Sequence, residues 1–455
     1  MRLISLWFGL SAPVSRRAYA ASGFGLMALK YAVEAAVIQQ VSGSWLPPLI
    51  YLNPVLAART AVLGGHDWLV WSIALWTMPF LWIGVSMTLR RAEDAGQSPF
   101  LAILYFLPVV NYLLMLTLCV LPSRPRAEPR RRPEVKARAG DGLHSALLGM
   151  GVGALLALTM VGASAQVLGS YGTTLFVATP FVMGAASAFV FNHAAPRTAG
   201  ATLLVAIGSV GLAGGAILLF ALEGVLCLVM AAPLAIVLAS MGAVLGRALA
   251  ARFAIRPSSI AAIVLPLPLF AGIDLAQPPP RVREVVTVVE VDAAPDAVWP
   301  NVVAFSALPE PPVWVFRLGI AYPQRATILG RGVGAVRRCE FSTGAFVEPI
   351  TAWEEPWRLG FDVAAQPPPM RELSPYRHVL ARHLDGYLQV RNGEFLLRPL
   401  PGGRTQLEGR TRYEMRVFPA AYWGLWSDAL IHAIHTRVLE HIKGEATVVI
   451  MRHGA

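Results

Sequence analysis

The first pattern in the chain that suggests chemistry is GRGVGAVRRCEFSTG, residues 330–344. Glycines at every second position can cradle a phosphate, but only between a strand and the N-terminus of a helix, where free backbone N–H groups face the anion. The residues after Gly334 alternate as a strand does, and no G-K-[ST] follows. We therefore interpret these glycines as a turn between two strands, and we predict no nucleotide site.

Two carboxylates in the same region, Glu348 and Glu394, have the chemistry of a general acid or base. A carboxyl group beside apolar strand residues has a raised pKa, which suits proton transfer near neutral pH. The sequence places no histidine partner beside either of them. Catalysis therefore stays an alternative, and we interpret Cys339 as a small buried residue rather than a nucleophile.

A third pattern has the residue types of a metal site. Asp428, His432 and His435 are spaced four and three apart, so they share one face of a helix. No further ligand follows at a telling spacing, and the cysteines at 119, 227 and 339 form no C-x-x-C pair. We interpret the three residues as a solvated helix edge with His435 bordering the apolar side, and we predict no metal centre and no cofactor.

The elements that must position these residues follow a membrane region. Of 455 residues, 55% are hydrophobic and only 14% charged, and the long uncharged runs lie before residue 276. A membrane-spanning helix needs about 20 apolar residues. Runs of that kind cover roughly 19–38, 68–89, 99–121, 144–168, 172–192, 200–222 and 225–247. The proline-broken segment 44–58 and the short run 260–276 are left open.

The charges favour an orientation. The net charge is +11, and its densest basic cluster, residues 122–142, lies between membrane segments. We interpret that cluster as a cytoplasmic loop near anionic lipid rather than a nucleic-acid site. With Arg197 and Arg247 also cytoplasmic, the loops near 169–172 and 223–224 lie outside. If 260–276 crosses, the C-terminal domain is extracytoplasmic, which we favour; if it only dips into the bilayer, the domain stays inside.

The N-terminal region resembles a known family. Residues 78–108, MPFLWIGVSMTLRRAEDAGQSPFLAILYFLP, carry the signature of a bacterial inner-membrane family known as domain-of-unknown-function family eight hundred and five. The matching residues here are Arg90, Arg91, Asp94, Gly96 and Ser98, preceded by Ser15, Arg16, Arg17 and Tyr19. This resemblance covers about the first 120 residues and implies no activity. Arg90, Arg91 and Asp94 have a sufficient structural role as ionic partners at the membrane interface.

The C-terminal region has strand alternation and a long terminal helix. Polar and apolar residues alternate over residues 404–417, RTQLEGRTRYEMRV, which indicates a strand with one solvent-exposed and one buried face. A hairpin turn is predicted at residues 399–405, PLPGGRT. The last amphipathic stretch places Leu425, Ile431, Ile434, Val438, Leu439 and Ile442 on its apolar side. With D-A-A-P-D-A-V-W after the first strand, residues 283–446 resemble the START and polyketide-cyclase superfamily, called SRPBCC.

That resemblance implies a helix-grip fold, with a cavity that holds lipids, sterols, polyketides or other hydrophobic molecules. We therefore predict an α+β protein, with a multi-span α-helical membrane region followed by a curved antiparallel sheet around a long C-terminal helix. The predicted domains are an N-terminal membrane domain, a basic linker, a second membrane region and the helix-grip domain, at 1–121, 122–142, 143–276 and 277–455.

Strand alternation predicts which side chains face the cavity. The predicted ligand-binding residues are Arg337, Cys339, Phe341, Glu348, Phe361, Leu407, Tyr413, Met415 and His435. In this prediction Arg337 anchors a polar head group. The alternative is that these side chains fill the core and leave little space.

The predicted function is membrane-tethered binding or transfer of a lipid- or polyketide-like ligand in the bacterial inner membrane. Its partners are the lipid bilayer and a hydrophobic small molecule, with no nucleic acid. We also hypothesise that the proline-rich loop QPPPMRELSPY, residues 366–376, and the terminal helix control access. The alternatives are a cyclase or dehydratase using Glu348, Glu394 or Arg337, and a transporter or sensor whose soluble domain is regulatory.

Overall fold

The computed structural model describes residues 3–9, 12–52, 62–63, 67–106, 110–124, 141–251, 262–275, 280–309, 314–376, 379 and 381–453. The chain forms two compact units. The first comprises Met1–Val161, Thr173–Ala213 and Leu234–Ala276, and the second comprises Gly162–Gly172, Gly214–Pro233 and Gln277–Ala455. The second unit therefore combines the C-terminal region with two segments that connect membrane helices.

Among the described residues, five helices are long and apolar enough to cross a membrane: Arg16–Ser42, Gly142–Val167, Thr174–His193, Ala199–Leu219 and Val225–Ala250. Within them, Gly162–Val167 and Thr174–Ala178 are π-helical turns. Further helices are Leu3–Phe8, Pro48–Leu52, Asp67–Asp94, Val110–Val120 and Pro266–Leu275. The prediction of a multi-pass membrane region is confirmed.

Three sequence segments need comment. The predicted span 99–121 is a 3-10 helix at Pro99–Phe106 and a separate helix at Val110–Val120, and residues 107–109 between them lie outside the described part. The open segment 44–58 contains the short helix Pro48–Leu52, and its residues 53–58 are not described. Most of the predicted basic linker, residues 125–140, also lies outside the described residues.

Buried ion pairs hold the first unit together. Arg90 and Arg91 are both fully buried. Arg91 pairs with Asp94 and donates from Nε to the Leu118 carbonyl over 3.0 Å, while Arg90 donates to backbone carbonyls, among them that of Ala12. Within the first long helix, Lys30 pairs with Glu34. The predicted pairing of the family signature is therefore present between Arg91 and Asp94, with both arginines buried.

The short helix Pro266–Leu275 ends beside the start of another helix of the same unit. The carboxylate of Asp274 accepts hydrogen bonds from the backbone N–H groups of Thr173 and Thr174, each over 2.8 Å. These N–H groups precede the helix Thr174–His193 and have no intrahelical acceptor. A negative charge at a helix N-terminus is also stabilised by the helix dipole.

The C-terminal region contains seven strands: β1 Val282–Val291, β2 Pro323–Leu329, β3 Val336–Phe341, β4 Gly344–Glu354, β5 Arg358–Asp362, β6 Leu388–Leu400 and β7 Arg404–Met415. Their order in the sheet is β1-β7-β6-β5-β4-β3-β2, and all neighbours are antiparallel. Short helices at Pro295–Val303 and Trp314–Arg317 lie between β1 and β2. The predicted strands and hairpin are confirmed.

The glycine repeat is the turn between β2 and β3. Gly330, Gly332 and Gly334 have φ of +92°, +83° and +89°, a region that side-chain-bearing residues rarely adopt. A strand, not a helix, follows them. The interpretation of these residues as a strand-to-strand turn is confirmed.

The helix Ala420–His453, called here the terminal helix, packs against the curled sheet. Val438, Leu439 and Ile442 are buried in one core with Leu359 and Leu407 of the sheet. Leu425 is 47% exposed, so the apolar side begins after the first turns of the helix rather than at Leu425. A curved antiparallel sheet around one long helix is the predicted helix-grip architecture.

Candidate functional site

A cavity of about 110 Å³ lies between the sheet and the terminal helix. Its aromatic wall consists of five phenylalanines, at positions 305, 341, 346, 361 and 395. Its aliphatic wall is formed by Val363, Val390, Ile431, Ile434, Val438 and Leu439. Polar side chains enter at Arg337, Glu348, Glu394, Arg410, Thr411 and His435, with Cys339 and Gly409 completing the lining.

The guanidinium of Arg337 is the most deeply buried charge in this wall. Arg337 lies on β3, is 2% exposed, and forms a salt bridge with Glu348 across the β3–β4 register. Its Nε donates to the carbonyl of Val303 over 3.2 Å. The guanidinium carbon lies 5.4 Å from the ring centroid of Phe305 and 5.5 Å from that of Phe361, within cation–π range. The positive charge is therefore compensated inside the domain.

Six of the nine predicted ligand-binding residues line this cavity: Arg337, Cys339, Phe341, Glu348, Phe361 and His435. Leu407, Tyr413 and Met415 do not belong to the lining, although all three are buried. Leu407 is part of the hydrophobic core. Strand alternation predicted that these residues lie on the inner face of the sheet. A residue on that face can either pack in the core or line the cavity. The position of the terminal helix determines which of the two it does.

Tyr413 belongs to a polar network at one end of the terminal helix. Its hydroxyl donates to Oδ1 of Asp428 over 2.6 Å, and Asp428 also pairs with Arg283 of β1 at 2.5 Å. Asp428 is therefore engaged by Tyr413 and Arg283, whereas His432 and His435 contact threonines. Met415 accepts a weak hydrogen bond from the hydroxyl of Ser427 over 3.4 Å. These contacts fix the start of the helix on the sheet.

His435 reaches the cavity from the terminal helix and is held by two threonines. Its Nε2 lies 2.7 Å from the hydroxyl oxygen of Thr411, and its Nδ1 lies 3.1 Å from that of Thr287. Thr287 also contacts Nδ1 of His432 at 2.8 Å. Burial, together with the neighbouring His432, lowers the pKa of His435 to about 4. His435 is therefore a neutral imidazole near pH 7.

Burial sets the protonation of two further lining residues. It raises the pKa of the Cys339 thiol to about 12, with the Glu348 carboxylate contributing in the same direction. Cys339 is accordingly a neutral thiol, in keeping with its interpretation as a buried apolar residue. Burial also raises the pKa of Glu348, while the Arg337 guanidinium opposes that shift. A role of Glu348 in proton transfer would require it to leave its partner.

Glu394 is surrounded by arginines at the polar end of the cavity. Its Oε2 accepts from Nε of Arg358 over 3.0 Å, and its Oε1 lies 3.6 Å from Arg412 and 3.8 Å from Arg410. These contacts come from β5 and β7, which flank β6 in the sheet. The carboxylate of Glu394 is therefore held by ion pairs to two neighbouring strands.

Sequence reasoning missed several lining residues, above all Phe305, Phe346 and Phe395. Phe346 lies two residues before Glu348 on β4, so the period of two could have placed it on the same face. Phe395 directly follows Glu394 on β6, and because both line the cavity, alternation would not have found it. Phe305 follows the helix Pro295–Val303 and enters through a single bridge to Ala326 of β2. No pattern in the sequence indicates that bridge.

Residues 7–129 match the family described as protein of unknown function (DUF805). The N-terminal resemblance is thereby confirmed, over about a quarter of the chain. A comparison with curated protein sequences finds no match.

Solved structures similar to this chain cover its C-terminal part. The Zhui aromatase/cyclase from Streptomyces sp. R1128 is 16% identical, with 37% of this chain and 94% of that chain covered and a TM-score of 0.24. A point mutant of norcoclaurine synthase from Thalictrum flavum, in complex with a transition state analogue, is 14% identical, with coverages of 39% and 100% and a TM-score of 0.26. A protein from Nitrosospira multiformis is 20% identical, with coverages of 36% and 95% and a TM-score of 0.23.

The Arg337–Glu348 pair predicts a strongly non-additive double-mutant cycle. Glu348→Leu leaves a buried guanidinium without its partner, and Arg337→Met leaves a buried carboxylate, so each should lower the free energy of unfolding by about 3–5 kcal/mol. The double variant removes both charges and should cost less than either single change. Urea unfolding of the full chain in detergent, followed by tryptophan fluorescence, measures all four proteins.

The matched control is Glu340→Leu, which breaks the exposed pair between Glu340 of β3 and Arg325 of β2. It should have little effect, because solvent screens that pair. Additive losses for Arg337 and Glu348 would contradict the interpretation of these residues as one neutralised unit.

His435 predicts a loss of stability on mild acidification. Its ordinary pKa is about 6.5 and its pKa in the folded domain about 4, so the unfolded chain binds the proton more strongly. The stabilisation is complete above pH 6.5 and is lost as the pH falls towards 4. Between pH 7 and pH 5 the free energy of unfolding should drop by about 2 kcal/mol through this group.

The measurement compares urea unfolding of the wild type and of His435→Gln at both pH values. The variant should lose that part of the pH dependence. His441→Gln is the control, because His441 lies on the same helix at an exposed contact with Ser306. If His435→Gln retains the full wild-type pH dependence, the buried neutral imidazole is not its source.

Proposed function

We propose that the C-terminal domain binds an uncharged hydrophobic molecule in the cavity between the sheet and the terminal helix, and that the membrane helices hold this domain at the bilayer. The observation that carries the proposal is the wall of five phenylalanines around an arginine whose charge is already neutralised. Such a wall favours aromatic or aliphatic ligand groups.

The charges near the cavity favour a neutral ligand over an anionic one. Arg337 is paired with Glu348, and Arg410 with Glu408. An anionic head group would have to compete with these carboxylates for the guanidinium groups, and a buried pair is costly to break. Of the polar head groups that Arg337 was expected to anchor, the charge balance therefore favours neutral ones over anionic ones. The cation–π contacts of Arg337 make it part of the cavity wall.

The size of the cavity limits what can enter without movement. A cavity of about 150 Å³ accommodates benzene, and ligand sites commonly measure about 300–1,000 Å³. At about 110 Å³, this cavity holds a small ring or a short alkyl group. A lipid- or polyketide-sized ligand therefore requires the terminal helix or the loop 366–376 to move outwards. This requirement agrees with the hypothesis that these two elements control access.

Attachment to the membrane suits such a ligand. A hydrophobic molecule is scarce in water and concentrated in the bilayer, so a domain held at the bilayer surface encounters it at a high effective concentration. We place the protein in the bacterial cytoplasmic membrane, following the N-terminal family match and the spanning helices. The mechanism is partition of the ligand between the bilayer and the cavity.

We infer that the domain lies on the extracytoplasmic side. Arg197 and Arg247 lie at one end of their helices, where Nε of Arg247 donates to the Arg197 carbonyl over 3.1 Å, and the positive-inside rule places that end in the cytoplasm. The opposite connections, Gly162–Gly172 and Gly214–Pro233, belong to the same unit as the C-terminal region. Backbone bonds within that unit, such as Phe418 N–H to the Tyr171 carbonyl over 2.9 Å, support the inference.

The hydrophobic ligand is tested by filling the cavity. Ile434→Trp puts a large ring into the cavity from the terminal helix, so a co-purifying hydrophobic compound should fall at least tenfold. The full chain is purified in detergent from bacterial membranes, and organic extracts are compared by mass spectrometry. Comparison between variants removes lipids that bind elsewhere on the membrane helices.

Leu425→Trp is the matched control, because it makes the same kind of change at an exposed position of the same helix. It should retain the compound at the wild-type level. The proposal is contradicted if the extracts are identical for the wild type, Ile434→Trp and Leu425→Trp, because the cavity then holds no co-purifying ligand.

The extracytoplasmic position is tested with reporter fusions. Alkaline phosphatase joined after Ala455 should be active, because it folds only outside the cytoplasm, and green fluorescent protein at the same place should be dark. Fusions after Gly140, in the basic segment predicted to be cytoplasmic, should give the reverse. Fluorescence of the fusion after Ala455 would place the domain in the cytoplasm instead.

A further inference from the structure

Four potential metal ligands come together in the second unit, away from the cavity. They are Glu223, Cys227, Glu372 and His383, and one ligand atom from each lies within 4.8 Å of the others. Glu223 and Cys227 flank the start of the helix Val225–Ala250, one helical turn apart. Glu372 belongs to the loop 366–376, and His383 to the one-turn helix Arg382–Leu384. Cys227 and Glu372 are 145 residues apart in the sequence, and Glu372 and His383 are 11 apart, so no sequence motif indicates this cluster.

The imidazole of His383 lies at the centre of the group. On its Nε2 side, the sulfur of Cys227 is 2.9 Å away and Oε1 of Glu372 is 3.5 Å away. That sulfur and Oε1 of Glu372 are themselves only 2.7 Å apart. On the other side, Nδ1 of His383 lies 3.1 Å from Oε2 of Glu223. Both ring nitrogens therefore face the cluster.

The surroundings exclude water from these groups. The side chain of Glu372 is 3% exposed, that of Glu223 11% and that of His383 12%. Tyr171 donates from its hydroxyl to Oε1 of Glu223 over 2.6 Å, and its ring packs edge-on against the His383 imidazole, with the ring centroids 5.5 Å apart. Tyr171 thus holds Glu223 and closes one side of the site.

One carboxylate oxygen of the cluster is not engaged. Within the described part of the chain, Oε2 of Glu372 is buried and accepts no hydrogen bond, whereas Oε2 of Glu223 has the 3.1 Å contact with Nδ1 of His383. A buried carboxylate oxygen without a partner is costly, since it has lost its hydration. Oε2 of Glu372 therefore points to a ligand that accepts lone pairs, which is the property of a metal ion.

A positive charge is required here in any case, because two buried carboxylates repel each other. A proton on His383 could supply it: burial opposes that charge, but bonds with Cys227, Glu223 and Glu372 outweigh burial and raise the pKa of His383 to about 12. The sulfur decides in favour of a metal. With a proton on the imidazole, the Cys227 thiol donates to Oε1 of Glu372 over 2.7 Å, which is short for a sulfur donor, whereas a metal ion uses both atoms as ligands.

We propose that this cluster binds one transition-metal ion of the Zn²⁺ class, with Cys227 Sγ, His383 Nε2 and Glu372 as ligands. Glu223 orients the imidazole from Nδ1, the arrangement in which a carboxylate supports a metal-bound histidine. Thiolate, imidazole and carboxylate are the ligands of Zn²⁺, at about 2.3, 2.0–2.1 and 2.0–2.2 Å. Those bond lengths separate tetrahedral ligand atoms by about 3.5 Å, so the ligands move by less than about 1 Å on binding.

Gly224 makes room for one of these ligands. A Cβ atom at this position would lie 1.9 Å from Oε2 of Glu372 and 2.6 Å from its Cβ. Gly224→Ala therefore displaces Glu372 while leaving every ligand residue in the sequence. The proposal is independent of the proposed function, since none of these residues lines the cavity.

The test is metal binding by the full chain in detergent, purified without a metal-affinity tag and treated with a chelator. ZnCl₂ or CoCl₂ is added, excess is removed, and metal is measured by plasma mass spectrometry. We expect one Zn²⁺ or Co²⁺ per chain, and for Co²⁺ a near-ultraviolet absorption from sulfur-to-metal charge transfer. Cys227→Ser should abolish that absorption, and Cys227→Ser, His383→Gln and Gly224→Ala should each lower affinity at least tenfold.

Cys119→Ser is the matched control, because Cys119 lies in the first unit and should leave binding unchanged. Tryptophan fluorescence and size-exclusion chromatography show whether each variant is folded. The absence of stoichiometric metal in the wild type, or binding that is insensitive to both Cys227→Ser and His383→Gln, would overturn the proposal and leave a protonated His383 between two carboxylates.

A second measurement uses the wild type alone and does not depend on any variant folding. Iodoacetamide alkylation is followed by peptide mass spectrometry, with and without added ZnCl₂. Zinc should slow alkylation of Cys227 at least tenfold, because a coordinated thiolate is shielded, and should leave the rate at Cys119 unchanged. Equal rates at Cys227 in the two samples would contradict the proposed coordination.

Discussion

Compensation of buried charge is the constraint on which the arrangement of this protein depends. Only 14% of the residues are charged, yet Arg90, Arg91 and Arg337 are almost completely buried. An ion removed from water costs several kcal/mol unless partners replace its hydration. Arg91 meets Asp94, Arg337 meets Glu348, and Arg90 meets backbone carbonyls. The same arginines also donate to carbonyls of distant segments, Arg90 to Ala12, Arg91 to Leu118 and Arg337 to Val303, so satisfying the charges also fixes the packing of the chain.

The same constraint determines the character of the cavity. Because Glu348 and the aromatic rings already compensate Arg337, the cavity has an apolar wall without an excess of positive charge. The neutral His435, held between Thr287 and Thr411, adds polarity but no charge. Under the proposed function, shape and aromatic contacts, rather than ion pairing, select the ligand. The small volume makes opening of the terminal helix or the loop a condition for larger ligands.

The cluster around His383 is another place where buried charges need partners. Its residues belong to the second unit, which combines connections between membrane helices with the C-terminal region. Glu223 and Glu372 come from segments distant in sequence, and both contact the imidazole of His383. The proposed metal ion, or a proton on His383 in its absence, links the loop 366–376 to the start of the helix Val225–Ala250.

The sequence by itself determined the elements, because their signals are local. Hydropathy predicted the membrane helices, and the alternation of polar and apolar residues predicted β7 and its neighbours. Three closely spaced glycines predicted the turn between β2 and β3. The resemblance of residues 283–446 gave the helix-grip architecture. The ion pair of Arg91 with Asp94 was also accessible, since the two residues lie three apart on one helix.

Only the tertiary structure determined which inward-facing residues line the cavity and which pack in the hydrophobic core. Leu407 and Tyr413 share the predicted inner face with cavity residues, but the terminal helix packs over them and places Phe305 and Phe395 at the cavity instead. The partner of Arg337 and the meeting of Cys227 with His383 likewise depend on chain segments that come together only on folding. A local pattern fixes the direction of a side chain relative to its own element, whereas a site depends on the distances between elements.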